Sequence, residues 1–409
     1  MRQSCKGVVR SSYGYAATGF PADRCESSER GQSMEDRLMF ARRPNAFPAA
    51  AICAVLCGAA FVCAPHAARS ADKEQRAEFL GAIVLPDAAE DADTRIGGLS
   101  GITYDATEGD WLFVSDDKNE YGPPRLYRAR VLMDHGHLAG VRFTDVLELE
   151  SADNGWISDM EAVASEGGTL LVTTEGNWPE HEQNRVLAIS PKGAVGKSLP
   201  LPESLKIDFD ARTGPRDNKG LEAMALGDGS RTLWLGLEAP RTQDGALPTP
   251  DHGAMTRILK LDRATGKEEA SYAYPLEPLA KAPAQGKVAD GPGLDEIAAV
   301  DATHLLTMER SWVEGDTNYV QVYMVDTARA SDVSGQTLLD DDAIEPVEKH
   351  LLVDLNALSI PMDNYEGLAL GPKLADGRRL MLICSDNNFN KHQKTIVAAF
   401  AVDVDTTQQ

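Results

Sequence analysis

Short apolar and β-branched runs alternate with turns rich in Gly, Asp and Pro along most of the chain, and sustained helical periodicity is almost absent. That pattern predicts strands. Five stretches repeat one unit. They are LSGITYDATEGDWLFVSDD (99–117), MEAVASEGGTLLVTTEG (160–176), LEAMALGDGSRTLWLGLEA (221–239), DEIAAVDATHLLTMERS (295–311) and YEGLALGPKLADGRRLMLICSDN (365–387). Each reads as a strand, a tight turn, a second strand and an acid. Two more strand-like runs follow each of the first four copies, such as RLYRARV and VRFTDVLELE after the first. Only TIVAAFAVD follows the fifth, and EFLGAIVLP, ahead of the first copy, supplies the missing strand. Four strands per unit, with the last unit completed from the N-terminal side, is the ring closure of a β-propeller. The predicted fold class is therefore all-β, a single propeller of five four-stranded blades. Six blades is the alternative, with further strands hidden in the inserts 285–294 or 328–346.

In a blade the first strand lines the channel and the second runs antiparallel to it. The start of one and the end of the other therefore reach the same rim. Aligning the copies puts Ser100, Glu161, Glu222, Glu296 and Glu366 at the start of strand one. It puts Asp116, Glu175, Glu238, Glu309 and Asp386 at the end of strand two. Arg125, Arg185 and Arg257 open third strands, Arg310 follows Glu309, and Lys219 lies two residues before Leu221. One mouth is thus expected to gather nine carboxylates and about five bases. Any single acid is explained by a backbone N–H or a neighbouring arginine. A whole ring is harder to explain that way, because crowded like charges repel and burial raises the cost.

A hard cation relieves such a ring, and oxygen ligands suit Ca²⁺. The expected ligands are Glu161, Glu222, Glu366, Asp386 and Asn387. There is no EF-hand loop and no His-x-Glu-x-x-His motif. There is no Gly-x-Ser-x-Gly elbow either, which disfavours a serine hydrolase. His181, His252 and His392 fall in loops after second strands, on the acid-lined rim. His181 and His252, with Glu161 and Glu222, are the candidate catalytic groups, as general acid or base. Arg125, Arg185, Lys219, Arg257 and Arg310 are the candidates for receiving an anionic substrate group.

Composition changes this picture mainly at the N-terminus. MFARRPNAFPAAAICAVLCGAAFVCAPHAARSADKE, starting at Met39, has a basic start, a small-residue apolar stretch and a charged end. It reads as a secretory signal preceded by an over-extended N-terminus. Residues 1–71 are expected to be removed, leaving 72–409 as the propeller domain, secreted or periplasmic and not inserted in a membrane. Residues 1–71 hold nine Lys/Arg and five Asp/Glu, so 72–409 keep 31 basic and 58 acidic side chains of the totals 40 and 63. That acidity disfavours nucleic-acid partners. Five of six cysteines fall in 1–71, leaving Cys384 alone, so the domain has no internal disulfide and no cysteine-based zinc site.

GGLSGITYD with FVSDD, then MEAVA with TTEGN, NKGLEAMAL with LWLGLEAP, MERSW, and NYEGLALGP with ICSDNNF resemble the bacterial phytase-like family, known for the esterase-like activity of phytase. The resemblance runs from about Gly97 to Val402. It implies an exported β-propeller hydrolysing an ester or phosphoester, and it brings no catalytic triad onto these residues. The expected function is hydrolysis of a small-molecule ester or phosphoester by a metal-assisted water at the channel mouth, in a monomer. The alternatives are a non-enzymatic periplasmic propeller that binds a ligand or protein, and a metal-dependent lactonase.

Overall fold

A computed structural model describes residues 76–404, apart from 87–88, 92–93, 152–156, 158, 228 and 340–342, together with the strand Gly14–Ala16. Residues 19–74 lie outside the described residues, and with them most of the segment read as signal sequence. No described helix is long and apolar enough to cross a membrane.

The described residues form five antiparallel four-stranded blades. Blade one comprises Leu99–Asp105, Asp110–Ser115, Arg125–Asp134 and His137–Glu148, and Gly14–Ala16 pairs along its outer edge. Blade two comprises Met160–Glu166, Thr169–Thr174, Arg185–Ile189 and Ala194–Ser198, with Glu150–Ser151 added in parallel. Blade three comprises Leu221–Gly227, Thr232–Leu237, Ala254–Asp262 and Lys267–Leu276. Blade four comprises Ala289–Ala299, His304–Val313, Asn318–Asp326 and Glu348–Asp354. Blade five comprises Asn364–Lys373, Arg379–Asp386 and Ile396–Val402, and Ala77–Val84 pairs antiparallel to the last of these. The first strands touch in cyclic order from blade one to blade five and back, which closes the ring. The insert 285–294 runs into the first strand of blade four, and the described part of 328–346 contains no strand, so the count is five.

Burial follows the repeat. Second strands such as Asp110–Ser115 and Thr232–Leu237 are buried throughout, because blades pack on both their faces. Small residues line the first strands where neighbours press closest. A Cβ on Gly101 would come within 2.3 Å of the Glu161 carbonyl oxygen in the next blade.

Each first strand carries a β-bulge near its start. The paired residues around it are Leu99↔Ser115 and Gly101↔Val114, Met160↔Thr174 and Val163↔Val172, and Leu221↔Leu237 and Ala223↔Gly236. In blades four and five they are Leu294↔Glu309 and Glu296↔Met308, and Tyr365↔Ser385 and Gly367↔Cys384. A bulge leaves its extra residue outside the ladder and re-aims its side chain. Because the bulge recurs at one level, it presents five side chains to one rim.

Candidate functional site

The register decides which residues form that rim. The bulge positions are Ser100, Glu161, Glu222, Asp295 and Glu366. The second-strand residues one past the partner of the pair that precedes each bulge are Asp116, Glu175, Glu238, Arg310 and Asp386. Blade four is therefore shifted by one from the sequence alignment. Asp295 replaces Glu296 at the bulge, and Arg310 replaces Glu309 at the facing second-strand position.

Glu296 and Glu309 are buried in blade contacts instead, and their partners explain why they are tolerated. Glu296 Oε1 accepts the N–H groups of Met224 (3.1 Å) and Ile297 (2.9 Å). Glu309 accepts the Tyr274 hydroxyl (2.7 Å) and the Glu277 N–H (3.0 Å), and pairs with Lys349. Glu296 takes backbone donors, and Glu309 takes backbone and side-chain donors, as buried carboxylates require.

The remaining rim is acidic at eight positions, with Ser100 and Arg310 as exceptions. Segments outside the repeated core add Asp159, Asp290, Lys118 and Lys219. Lys118 Nζ lies 2.8 Å from Asp159. Lys219 Nζ lies 3.0 Å from Glu238 and 2.7 Å from Asp290. Arg310 bridges Asp295 (2.8 Å) and Glu366 (3.2 Å). Ser100 Oγ donates to the Met160 carbonyl at 2.7 Å.

The uncompensated acids concentrate where blades two and three meet. Carboxylate oxygens of Asp159, Glu161 and Glu175 all lie within 4.8 Å of one another, and so do those of Glu175, Glu222 and Glu238. Glu175 belongs to both groups. Its Oε1 accepts the Gly220 N–H at 2.7 Å. Asp116 Oδ1 and Asp295 Oδ2 are buried without a hydrogen-bond partner.

Electrostatics match the crowding. Burial first, then the charges of Glu366 and Asp159, pushes Asp116 up to about 8. Burial, with the charges of Glu238 and Asp159, raises Glu175 to about 7 although the Gly220 N–H opposes it. Burial raises Glu366 to about 8 although Arg310 opposes it. Burial raises Glu161, Glu222, Asp295 and Asp386 well above the usual carboxylate range, reinforced by neighbouring acids. Such a site takes up protons or cations at neutral pH.

The sequence-predicted residues divide accordingly. Glu161, Glu222, Glu366, Asp386, Asp116, Glu175, Glu238, Lys219 and Arg310 reach the mouth. Glu161 and Glu222 meet Asp159, Glu175 and Glu238 in the tight groups, rather than Glu366, Asp386 and Asn387. Asn387 Oδ1 accepts the N–H groups of Gly98 and Phe389, both at 3.1 Å, and so acts as a local brace.

Arg125 is buried against Asp117 (2.7 Å) and the Pro123 and Arg95 carbonyls. Arg257 is buried against Asp244 (2.9 Å) and carbonyls of Val333 and Gln336. Neither guanidinium is open to a substrate. Arg185 opens the third strand of blade two opposite Thr174. His181 stacks on Phe209 with ring centroids 4.9 Å apart, beside an outer cavity of about 680 Å³ also lined by Lys206 and Arg241. His252 is exposed in a turn closed on Thr249. No contact found among the described residues joins either histidine to the ring acids.

Asp159, Asp295, Asp290 and Lys118 were missed. The signal for Asp295 is in the sequence: Gly293-Leu294-Asp295 matches Gly98-Leu99-Ser100 and Gly220-Leu221-Glu222. Asp159, Lys118 and Asp290 lie outside the repeated core, in segments that differ between blades.

A family model described as "Phytase-like: Esterase-like activity of phytase" matches residues 94–389. No curated protein matches the chain. Among solved structures, the chain is similar to a GH43 protein, BlXynB, from Bacillus licheniformis (9% identity, TM-score 0.40), over 74% of this chain and only 50% of that one. It is similar to a GH43_1 enzyme from Xanthomonas citri complexed with xylose (12% identity, TM-score 0.40), over 78% of this chain and 90% of that one. It is also similar to an alpha-L-arabinofuranosidase from Clostridium thermocellum (12% identity, TM-score 0.38), over 73% and 88%.

Proposed function

This chain belongs to the phytase-like family, and from that premise we propose that it hydrolyses a small-molecule ester or phosphoester at the acidic mouth of the channel, with Ca²⁺ as the resident cation. The observation that carries the reading is the pair of carboxylate groups sharing Glu175, opposed at the rim by only Lys118, Lys219 and Arg310 among the described residues.

The donor set fits a hard cation: Asp159, Glu161, Glu175, Glu222 and Glu238 offer carboxylate oxygens, and the described groups include neither thiolate nor imidazole. When bound, Ca²⁺ supplies Lewis acidity toward an ester oxygen and acidifies nearby water. The chain's own groups do the rest. Glu222, whose carboxylate lies close to that of Glu175, takes the proton of the attacking water. Asp116 has an unpartnered Oδ1 and a raised affinity for protons, which suit it to protonate the leaving oxygen. Arg310 holds Asp295 and Glu366 in place across the channel. Export to the periplasm or medium, as a monomer, completes the proposal and rests on the sequence of the N-terminal segment.

The test is release of p-nitrophenol from acetate, phosphate monoester and phosphate diester substrates, in EDTA and in Ca²⁺. The expected result is turnover of at least one ester that EDTA removes and Ca²⁺ restores. Turnover indifferent to EDTA would contradict the reading. Retained Ca²⁺ binding without turnover of any ester would favour the binding propeller.

A further inference from the structure

We propose that Arg95, packed beside the stacked rings of Tyr121 and Phe389 at the seam between blades five and one, is the subsite that receives a phosphoryl group of the substrate. The inference rests on the hydrolytic reading above and adds the class of group bound beside the acids.

The mouth repels anions, so an anionic substrate needs a cationic group that is not already neutralised. Lys118, Lys219, Arg310, Arg125 and Arg257 are all paired with carboxylates. Arg95 is different. Its guanidinium carbon lies 5.6 Å from the Tyr121 ring centre and 5.5 Å from that of Phe389, and no carboxylate pairs with it among the described residues. The side chain is half-buried. With its guanidinium packed beside these rings and no hydrogen-bond acceptor on it among the described residues, Arg95 keeps its in-plane N–H donors free, and their fork matches two phosphate oxygens.

The platform is rigid. Tyr121 and Phe389 stack with centroids 4.4 Å apart and planes 16° from parallel. Tyr121 is 48% exposed, yet its N–H is held by both oxygens of buried Asp117 at 3.2 Å. Arg125 fixes Asp117 and, with the Tyr127 hydroxyl, donates to the Arg95 carbonyl oxygen at 3.2 and 2.6 Å. Arg125, which fails as a substrate receiver, therefore positions the one that is available.

The platform also adjoins the acids. Gly98 has φ +61°, and a Cβ there would lie 2.1 Å from Asp116 Oδ1 and 2.7 Å from the Phe389 ring. Carboxylate and ring thus flank the same glycine. A phosphoryl group on Arg95 would lie on the Asp116 side of the mouth, where the leaving oxygen is to be protonated.

The test is calorimetric titration of inorganic phosphate into the Ca²⁺-loaded protein, wild type, Arg95→Gln and Arg95→Lys, with melting curves to confirm folding. Loss of a charge-assisted bidentate contact should weaken phosphate about tenfold or more in Arg95→Gln, with a smaller loss in Arg95→Lys. KM for p-nitrophenyl phosphate should rise in parallel while that for p-nitrophenyl acetate stays unchanged. Absent phosphate binding to wild type, or equal affinity in Arg95→Gln, would overturn the proposal. If neither ester turns over, the hydrolytic reading fails by itself and the phosphate titration still decides the role of Arg95.

Discussion

Glu175, just past the second strand of blade two, and Glu222, in the first-strand bulge of blade three, bring carboxylate oxygens within 4.8 Å of each other. Burial and the neighbouring charge raise the proton affinity of both. The junction of blades two and three therefore favours protons in the absence of a cation, and a cation competes with them.

The stored protons set how stability depends on pH. In the folded, metal-free protein Glu175 titrates near 7 and Asp116 and Glu366 near 8, against about 4 in the unfolded chain. Between those values the folded state binds more protons than the unfolded state, so stability falls as pH rises. In EDTA, the melting temperature should drop from pH 5 to pH 8. Ca²⁺ should raise it most at the upper end, because cation binding releases these protons. A melting temperature in EDTA that rises over this range would contradict the assignment.

The shifted register of blade four separates two neighbouring acids. Asp295→Asn removes a rim charge paired with Arg310 and should lower Ca²⁺ affinity or turnover severalfold. Glu296→Gln keeps an oxygen for the Met224 and Ile297 N–H groups, and should leave both measurements near wild type. Calcium titration and ester kinetics on the two variants check this directly, and the reverse pattern would restore the sequence alignment.

Arg257 contributes to stability rather than to the site. Replacing it with Ala strands the buried Asp244 carboxylate with Arg241 as its remaining arginine, and loosens the Val333 and Gln336 carbonyls. Breaking such a pair costs about 3–5 kcal/mol. Urea unfolding should show that loss while Ca²⁺ affinity is unchanged.

The sequence carried the blade count, the closing strand and the level of the acids, because each is repeated and a repeat is visible by comparison. What it concealed has physical causes. In blade four the apolar pattern aligns Glu296 with Glu222 as well as Asp295 does, and only the bulge settles which acid leaves the ladder. The third-strand arginines were placed at the mouth by their loops. A third strand, however, lies two strand spacings, roughly 10 Å, from the first. Arg125 and Arg257 therefore meet Asp117 and Asp244 inside the blades. Asp159 reaches the acid cluster from a turn residue with φ +54° that has no counterpart pattern in the other copies.

The central claim is that the carboxylates joined through Glu175 hold a cation. Calorimetric titration of Ca²⁺ into EDTA-stripped protein at pH 7.5, for wild type and Glu175→Gln, tests it most directly. The account predicts saturable binding to wild type with proton release, and affinity lower by about tenfold or more in the variant, the scale of losing one charge-assisted ligand. No saturable binding to wild type, or the same affinity in Glu175→Gln, would contradict it.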